Sequence, residues 1–107
     1  MKTSKLEEEF LFLLKLEGLP RPDEREFLFA KEIGRKWRAD FAYLKNDMRL
    51  LIEVEGGEFI NGRHNRNLAG DAEKYNSACL LGYRVLRFTG SMLKNGLAME
   101  TMRKVLV

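Results

Sequence analysis

Apolar residues recur every three or four positions over residues 5–17, and this spacing predicts a helix with one apolar face. Ser4 followed three residues later by Glu7 is typical of a capping box, in which the serine side chain satisfies an exposed N–H group of the first turn. Residues 19–22 contain two prolines, which disfavour helical geometry in the residues before them. The first helix is therefore expected to end before this segment.

Two later segments alternate between apolar and polar residues, as strands do. Residues 37–43 and 50–55 are predicted to pair as antiparallel neighbours, because the polar turn 45–48 between them has the length of a hairpin connection. A weaker alternation predicts an earlier strand. The full set of further predicted elements is a strand at 26–33, a helix at 71–81, a strand at 83–88 and a helix at 91–106 interrupted near Gly96.

The element order α-β-β-β-α-β-α predicts an α/β fold in which helices flank a small mixed sheet, in two or three layers. At 107 residues, without a Pro-rich or Ser-rich linker, the chain is expected to form a single domain over residues 1–107. The longest apolar run, residues 10–14, is far shorter than the ~20 residues of a membrane-spanning helix. Residues 1–5 lack an apolar signal region, so a cytoplasmic location is expected. Cys79, the single cysteine, is expected to be a small buried residue of a helix.

Three carboxylates interrupt the two predicted hairpin strands. Asp40 lies in the first strand, while Glu53 and Glu55 lie in the second. Because side chains alternate along a strand, Glu53 and Glu55 share one face with Leu51, and the opposite face is expected to be the core. If the strands pair, Asp40 joins the glutamates. Three like charges at close range would be offset by a bound cation.

The distribution of basic residues also points to a charged partner. The net charge is +3, and the isoelectric point is near 9.1, which permits a nucleic acid as a partner without requiring one. Basic residues cluster on both sides of the acidic strands in sequence. A basic collar around an acidic centre would attract a phosphate backbone while the centre holds a metal ion. The members of the two clusters are Arg35, Lys36 and Arg38, and Arg63, His64 and Arg66.

The segment Lys-Trp-Arg-Ala-Asp-Phe at 36–41, the segment Ile-Glu-Val-Glu-Gly at 52–56 and the strand at 82–88 resemble, in this order, the PD-(D/E)XK nuclease superfamily. This restriction-endonuclease-like fold is shared by many restriction enzymes, Holliday-junction resolvases and repair endonucleases. Residues 62–66 and 71–76 make the chain most similar to small phage and bacterial endonuclease-like proteins related to very-short-patch repair endonucleases. The resemblance covers nearly the whole chain.

The resemblance implies a DNA endonuclease that hydrolyses phosphodiester bonds with a Mg²⁺-activated water, with Mn²⁺ as a substitute ion. Structure-specific cutting of junctions, flaps or mismatches in phage or mobile-element DNA is an extension of this expectation. Asp40 and Glu53 would ligate the ion together with the backbone carbonyl of Val54, and a glutamate of the first helix, Glu7 or Glu9, would approach it. Hard oxygen ligands of this kind suit Mg²⁺.

The chain departs from the superfamily pattern at Glu55, which replaces the usual lysine. A glutamate there could accept a proton from the attacking water or bind a second metal ion, but it cannot supply positive charge. We expect Lys74 to supply that charge, with His64 and Arg66 behind it.

Simpler interpretations of the same residues remain open. Asp40 could pair with Arg38 or Lys36, Glu53 could lie on an exposed strand face, and Lys74 could pair with Asp71 within its helix. The rival function is a catalytically inactive DNA-binding module of the same fold. A homodimer is also expected, because a small domain has little surface with which to bind a long DNA site.

Overall fold

The computed structural model describes residues 4–56 and 68–106, which form four α-helices and four β-strands. The elements follow the predicted order, except that two helices stand where one interrupted helix was expected. Short 3₁₀ turns at Lys31–Ile33 and Lys45–Asp47 connect neighbouring strands. The elements are α1 (Lys5–Leu16), β1 (Glu24–Leu28), β2 (Arg38–Tyr43), β3 (Leu50–Glu55), α2 (Leu68–Leu80), β4 (Arg84–Thr89), α3 (Gly90–Lys94) and α4 (Leu97–Leu106).

The four strands form one mixed sheet in the order β1-β2-β3-β4. Both β1 with β2 and β2 with β3 pair antiparallel, so the predicted hairpin is confirmed. Helix α2 connects β3 to β4, its neighbour in the sheet. The α/β class is thus confirmed, whereas the finer restriction-endonuclease-like assignment stays a prediction.

The predicted boundary of the first strand is wrong. The strand was expected at 26–33, but β1 begins at Glu24, and the Asp23 amide already donates to the Ala42 carbonyl at 2.8 Å. Residues 31–33 instead form a 3₁₀ turn that ends at Gly34, whose φ of +74° is accessible to glycine at little cost. The weak alternation around Phe27 and Phe29 therefore spanned a strand and the turn that follows it.

Burial along β3 also differs from the prediction. Residues 50–54 are all buried, whereas one core face and one charged face were expected. Leu51, on the side chosen for charge, is 1% exposed and belongs to a core cluster with Ala42 and Ala78. Because consecutive side chains of a strand point to opposite faces, burial of residues 50–54 means that both faces of β3 are covered, and Glu53 lies among apolar neighbours.

The described residues divide into two compact units. The helical unit contains residues 4–21, 54–56 and 87–106, and the sheet unit contains residues 22–53 and 68–86. In the helical unit, Phe10 of α1 stacks on Phe88 of β4 with ring centroids 6.0 Å apart. In the sheet unit, Ala78 of α2 belongs to the same core cluster as Phe29 and Ala39. The expectation of a single domain stays a prediction.

Three local features of the helices can be compared with the sequence predictions. The Ser4 hydroxyl accepts a hydrogen bond from the Glu7 amide at 3.0 Å, as the capping motif predicted. The break near Gly96 is confirmed, because α3 ends at Lys94 and Gly96 has a φ of +88°. The expectation that Cys79 is buried is wrong: it lies on an exposed face of α2.

No helix among the described residues is long and apolar enough to cross a bilayer.

Asp23 fixes the turn of the β2–β3 hairpin. Its Oδ2 accepts hydrogen bonds from the backbone amides of Leu44 at 2.6 Å and Lys45 at 3.0 Å. These two bonds, that of Leu44 first, hold the pKa of the Asp23 carboxyl below its usual value, because they favour the charged form. The turn therefore depends on an ionised Asp23.

Replacing Asp23 with alanine should lower the free energy of unfolding at pH 7 by about 1 to 3 kcal/mol, because two charge-assisted hydrogen bonds are lost. A depressed folded-state pKa stabilises the fold above the unfolded pKa of roughly 4, and this stabilisation is lost as the pH falls through the folded value. Urea unfolding curves of wild type and Asp23→Ala should therefore converge below about pH 4. Glu32→Ala, at an exposed position in the neighbouring 3₁₀ turn, is the matched control. A constant difference from pH 7 to pH 3 would contradict the assignment.

Candidate functional site

Strands β2 and β3 bring Asp40 and Glu53 to facing positions. Their antiparallel register pairs Phe41 with Ile52. One position further along this register, Asp40 lies opposite Glu53. The negative charge of Asp40 raises the pKa of Glu53. Like charges at directly opposed positions destabilise a sheet. The pairing predicted from the hairpin therefore places two carboxylates where their repulsion must be offset.

Glu53 is the most deeply buried charged side chain among the described residues, with 8% of its surface exposed. Lys74 Nζ lies 3.5 Å from its Oε2, and the Tyr75 hydroxyl donates a hydrogen bond to its Oε1 at 3.3 Å. Burial raises the pKa of Glu53 to about 7, because it disfavours the charged carboxylate, and the negative charge of Asp40 adds to this effect. Lys74 and Tyr75 act in the opposite direction. Glu53 can therefore exchange its proton near neutral pH.

A third carboxylate, Glu26, lies beside this pair on β1 and was missed by the sequence prediction. Glu26, Asp40 and Glu53 occupy facing positions on three adjacent strands and are called the acidic row below. The β1–β2 register pairs Arg25 with Phe41 and Phe27 with Ala39, so the position between them sets Glu26 against Asp40. Carboxylate oxygens of Glu26 and Asp40 lie within 4.8 Å of one another. Glu26 has a φ of +51°, in a region that costs a non-glycine residue strain energy.

Arg38 accompanies this part of the row. Its Nη1 lies 3.5 Å from Glu26 Oε1, so a cation partly offsets the negative charge of the two facing carboxylates. A strand predicted to begin at Glu24 and to pair with the strand of Asp40 would have set Glu26 opposite Asp40. The sequence could have indicated Glu26 in this way. The predicted strand began at residue 26 and gave no such register.

Lys74 projects from α2 toward β3, where the sequence prediction needed a cation. Its side chain is 17% exposed and ion-pairs with Glu53. A lysine here lies on a rigid helix beside the central strand, and its charge is partly shielded from water. The structure thus gives Lys74 a partner in the acidic row, and its catalytic role stays a prediction.

Glu55 has a different environment from Glu53. Nε and Nη2 of Arg87 lie 2.7 Å and 2.6 Å from Glu55 Oε2, so a charge-assisted contact links β3 to β4 within the helical unit. Glu55 therefore has a structural partner in β4, and its correspondence to the superfamily lysine stays a prediction. Its action as a proton acceptor or second metal ligand stays a prediction.

The basic residues proposed to bind nucleic acid have mixed environments. The Arg35 guanidinium lies 3.8 Å from the centroid of the Trp37 ring, and its Nη1 lies 2.6 Å from Glu73 Oε2. Arg38 contacts Glu26, and Lys36 is exposed. Arg35 and Arg38 thus have structural partners within the sheet unit. Three further predicted site residues, His64, Arg63 and Arg66, lie outside the described residues.

The side chains of the sheet unit fit a hard divalent cation in their chemistry. Asp40, Glu26 and Glu53 supply carboxylate oxygens on three adjacent strands, which are ligands that Mg²⁺ prefers. The close pair is Glu26 with Asp40, whereas sequence had paired Asp40 with Glu53 as ligands. Val54 follows Glu53 in β3, and its carbonyl as a ligand stays a prediction. Glu7 and Glu9 lie in α1, and their approach to a metal ion also stays a prediction.

Glu53 should make the stability of the protein depend on pH in metal-free buffer. Its raised pKa means that the folded state holds a proton that the unfolded chain has already released. The free energy of unfolding should therefore fall as the pH rises from about 4.5 to about 7, by roughly 2 to 4 kcal/mol, and level off above that. Glu53→Gln should abolish this slope in urea unfolding curves recorded with a chelator.

The variant Lys74→Met provides a second test in the same pH-dependent urea unfolding experiment. Because Lys74 lowers the Glu53 pKa, its removal should extend the slope to higher pH. Lys31→Met, at an exposed position, should reproduce the wild-type curve. Parallel curves for wild type and Glu53→Gln over this range would show that Glu53 does not titrate as the site requires.

No family model matches this chain, and neither a curated protein nor a solved structure matches it. The resemblance to the PD-(D/E)XK superfamily therefore rests on the motif residues and on the order of the elements. The chemistry of the acidic row and of Lys74 is therefore the basis for assigning a function.

Proposed function

We propose that the chain is a Mg²⁺-dependent endodeoxyribonuclease that hydrolyses phosphodiester bonds in DNA. The observation that carries this proposal is the buried carboxylate of Glu53, set opposite Asp40 in the sheet and 3.5 Å from Lys74. Two carboxylates and a cation around one point are the side chains that metal-assisted attack on a phosphate requires. An exposed strand face would not need a lysine partner that is itself only 17% exposed.

Asp40 and Glu53 would hold the ion, and Glu26 places a further carboxylate oxygen within 4.8 Å of Asp40. When bound, Mg²⁺ supplies a water of lowered pKa and neutralises charge on the phosphate. The strands fix the positions of these carboxylates through the backbone hydrogen bonds of the sheet. Tyr75 holds one oxygen of Glu53 and so sets the orientation of the carboxylate.

Lys74 would stabilise the negative charge that develops on the phosphate. Its ammonium group is 3.5 Å from Glu53 and only partly exposed, so its charge acts in a medium that screens it less than bulk water does. In this arrangement Lys74 replaces the lysine that the superfamily carries at the position of Glu55. The replacement comes from a helix instead of the strand.

DNA is the proposed substrate because a basic collar surrounds the acidic strands in sequence. Lys36 is exposed, and Arg63 and Arg66 follow β3 along the chain, so these residues are proposed to contact backbone phosphates. Processing of junctions, flaps or mismatches in phage or mobile-element DNA in the cytoplasm is the proposed setting.

A catalytically inactive DNA-binding module is the second candidate. The contact between Glu55 and Arg87 favours it, because the position of the superfamily lysine is used to join two strands. Such a module would keep the basic residues and bind DNA without any response to metal ions. The two candidates therefore differ in metal dependence.

The nuclease proposal predicts metal-dependent cleavage by the purified chain on a panel of linear, flapped, mismatched and four-way-junction DNAs. Asp40→Asn and Glu53→Gln should abolish cleavage, and Lys74→Met should slow it by about 10²-fold or more, since it removes one positive group from the transition state. Glu24→Gln and Lys31→Met change exposed residues of the same unit and should leave the rate unchanged.

Thermal unfolding with added Mg²⁺ or Mn²⁺ separates the two candidates. An ion that binds only the folded state should raise the Tm of wild type and leave that of Asp40→Asn unchanged. If neither ion changes the Tm and the chain binds DNA tightly and in a salt-sensitive way, the nuclease proposal is rejected in favour of the DNA-binding module. Undiminished cutting by the Asp40 and Glu53 variants would overturn the assigned site.

A further inference from the structure

Helix α1 carries two large apolar side chains that are exposed to solvent. Phe12 is 60% exposed and Leu16 is 68% exposed, although both are strongly apolar. They lie four residues apart and therefore on one side of the helix, away from the buried Phe10 and Leu14. An exposed apolar pair with charged residues around it is typical of an association surface.

A groove lies beside Phe12 within the helical unit. It has a volume of about 700 Å³ and is bordered by α1 and by Lys94 of α3. Its α1 side includes Leu6 and Phe12, with the stems of charged residues around them. The groove can therefore accept an apolar side chain and leave charged groups at its rim. The residues of α1 that border it include Lys5, Leu6, Glu8, Glu9 and Phe12.

The charges on this face have a two-fold pattern. Glu8 lies four residues before Phe12, and Lys15 lies three residues after it. Because Glu8 and Lys15 are seven residues apart, close to two helical turns, they lie along the same edge of the exposed face. A second α1 running antiparallel about a two-fold axis at Phe12 would bring its Lys15 opposite Glu8, offset by only ~1.5 Å along the axis.

We propose that the exposed face of α1 binds a second copy of this chain in an antiparallel, two-fold arrangement. Phe12 lies at the axis, Glu8 of each copy pairs with Lys15 of the other, and Leu16 of each copy enters the groove of the other. A self-complementary patch of this kind is what a two-fold dimer requires. An unrelated apolar partner would account for Phe12 and Leu16 but not for the reciprocal charges. The inference is independent of the proposed nuclease activity.

The size of this face sets the expected strength of the dimer. Helix α1 has 12 residues and is therefore only ~18 Å long. One such helix pair buries less than the ~800 Å² per partner of a standard interface. We therefore expect a weak dimer, whose population depends on protein concentration.

Sedimentation equilibrium over a range of concentrations tests the charge pattern. Glu8→Lys alone and Lys15→Glu alone should each weaken dimerisation by about tenfold, because two exposed attractions become two repulsions. The double variant Glu8→Lys with Lys15→Glu should restore the wild-type Kd, since both pairs are regenerated with reversed sign. Lys104→Glu on α4 is the matched control and should dimerise as wild type does. Thermal unfolding of each variant verifies the fold.

A cysteine at Phe12 tests the two-fold axis directly. In a Cys79→Ser background, Phe12→Cys should be joined into covalent dimers by a short bifunctional maleimide, whereas Lys104→Cys should not. A chain that stays monomeric at every concentration would overturn the proposal. The proposal would also be overturned if neither single charge reversal changed the dimer Kd, or if the double variant failed to restore it.

Discussion

A carboxylate in the middle of a buried strand is the constraint on which the sheet unit depends. Glu53 lies in β3 between two hydrogen-bonded neighbours, so its backbone cannot move to bring the side chain into water. A buried charge is costly unless it is paired or neutralised. The structure provides both solutions, because Lys74 and Tyr75 approach the carboxylate and its pKa is raised to about 7.

The same constraint requires that α2 packs on β3 in one particular position, because Glu53 of β3 needs its partners from α2. Lys74 and Tyr75 are consecutive residues of α2, and Ala78, one turn later, packs in the core with Leu51 of β3. The packing that buries Leu51 therefore also presents the lysine and the tyrosine to Glu53. A shift of one residue in the β2–β3 register would turn Asp40 to the other face of the sheet. Asp23, which holds the turn of this hairpin, thus acts on the site through the register.

Sequence predicted the hairpin and its facing carboxylates because the alternation around Asp40 and Glu53 is a local property of each strand. It could not show that both faces of β3 are covered, since the covering residues come from distant segments of the chain. Glu26 was missed because the pattern near Phe27 and Phe29 does not mark where pairing with β2 begins. The same limit applies to Glu55, whose partner Arg87 lies 32 positions later. Lys74 was chosen for its charge and for its place one turn into the predicted helix at 71–81, and the structure supplies the contact with Glu53.

The ion pairs along the acidic row suggest that Arg38 and Lys74 would change partners when a metal ion binds. Arg38 is ion-paired with Glu26 and Lys74 with Glu53, so the oxygens that would bind a metal ion already have basic partners. A divalent ion bound to these carboxylates would compete with both basic side chains for the same oxygens. Repulsion from the ion would then weaken the contacts of Arg38 and Lys74 with their glutamates. If the proposed nuclease function holds, a substrate phosphate would offer both basic side chains a new anionic partner, so metal and substrate would bind more tightly together than apart.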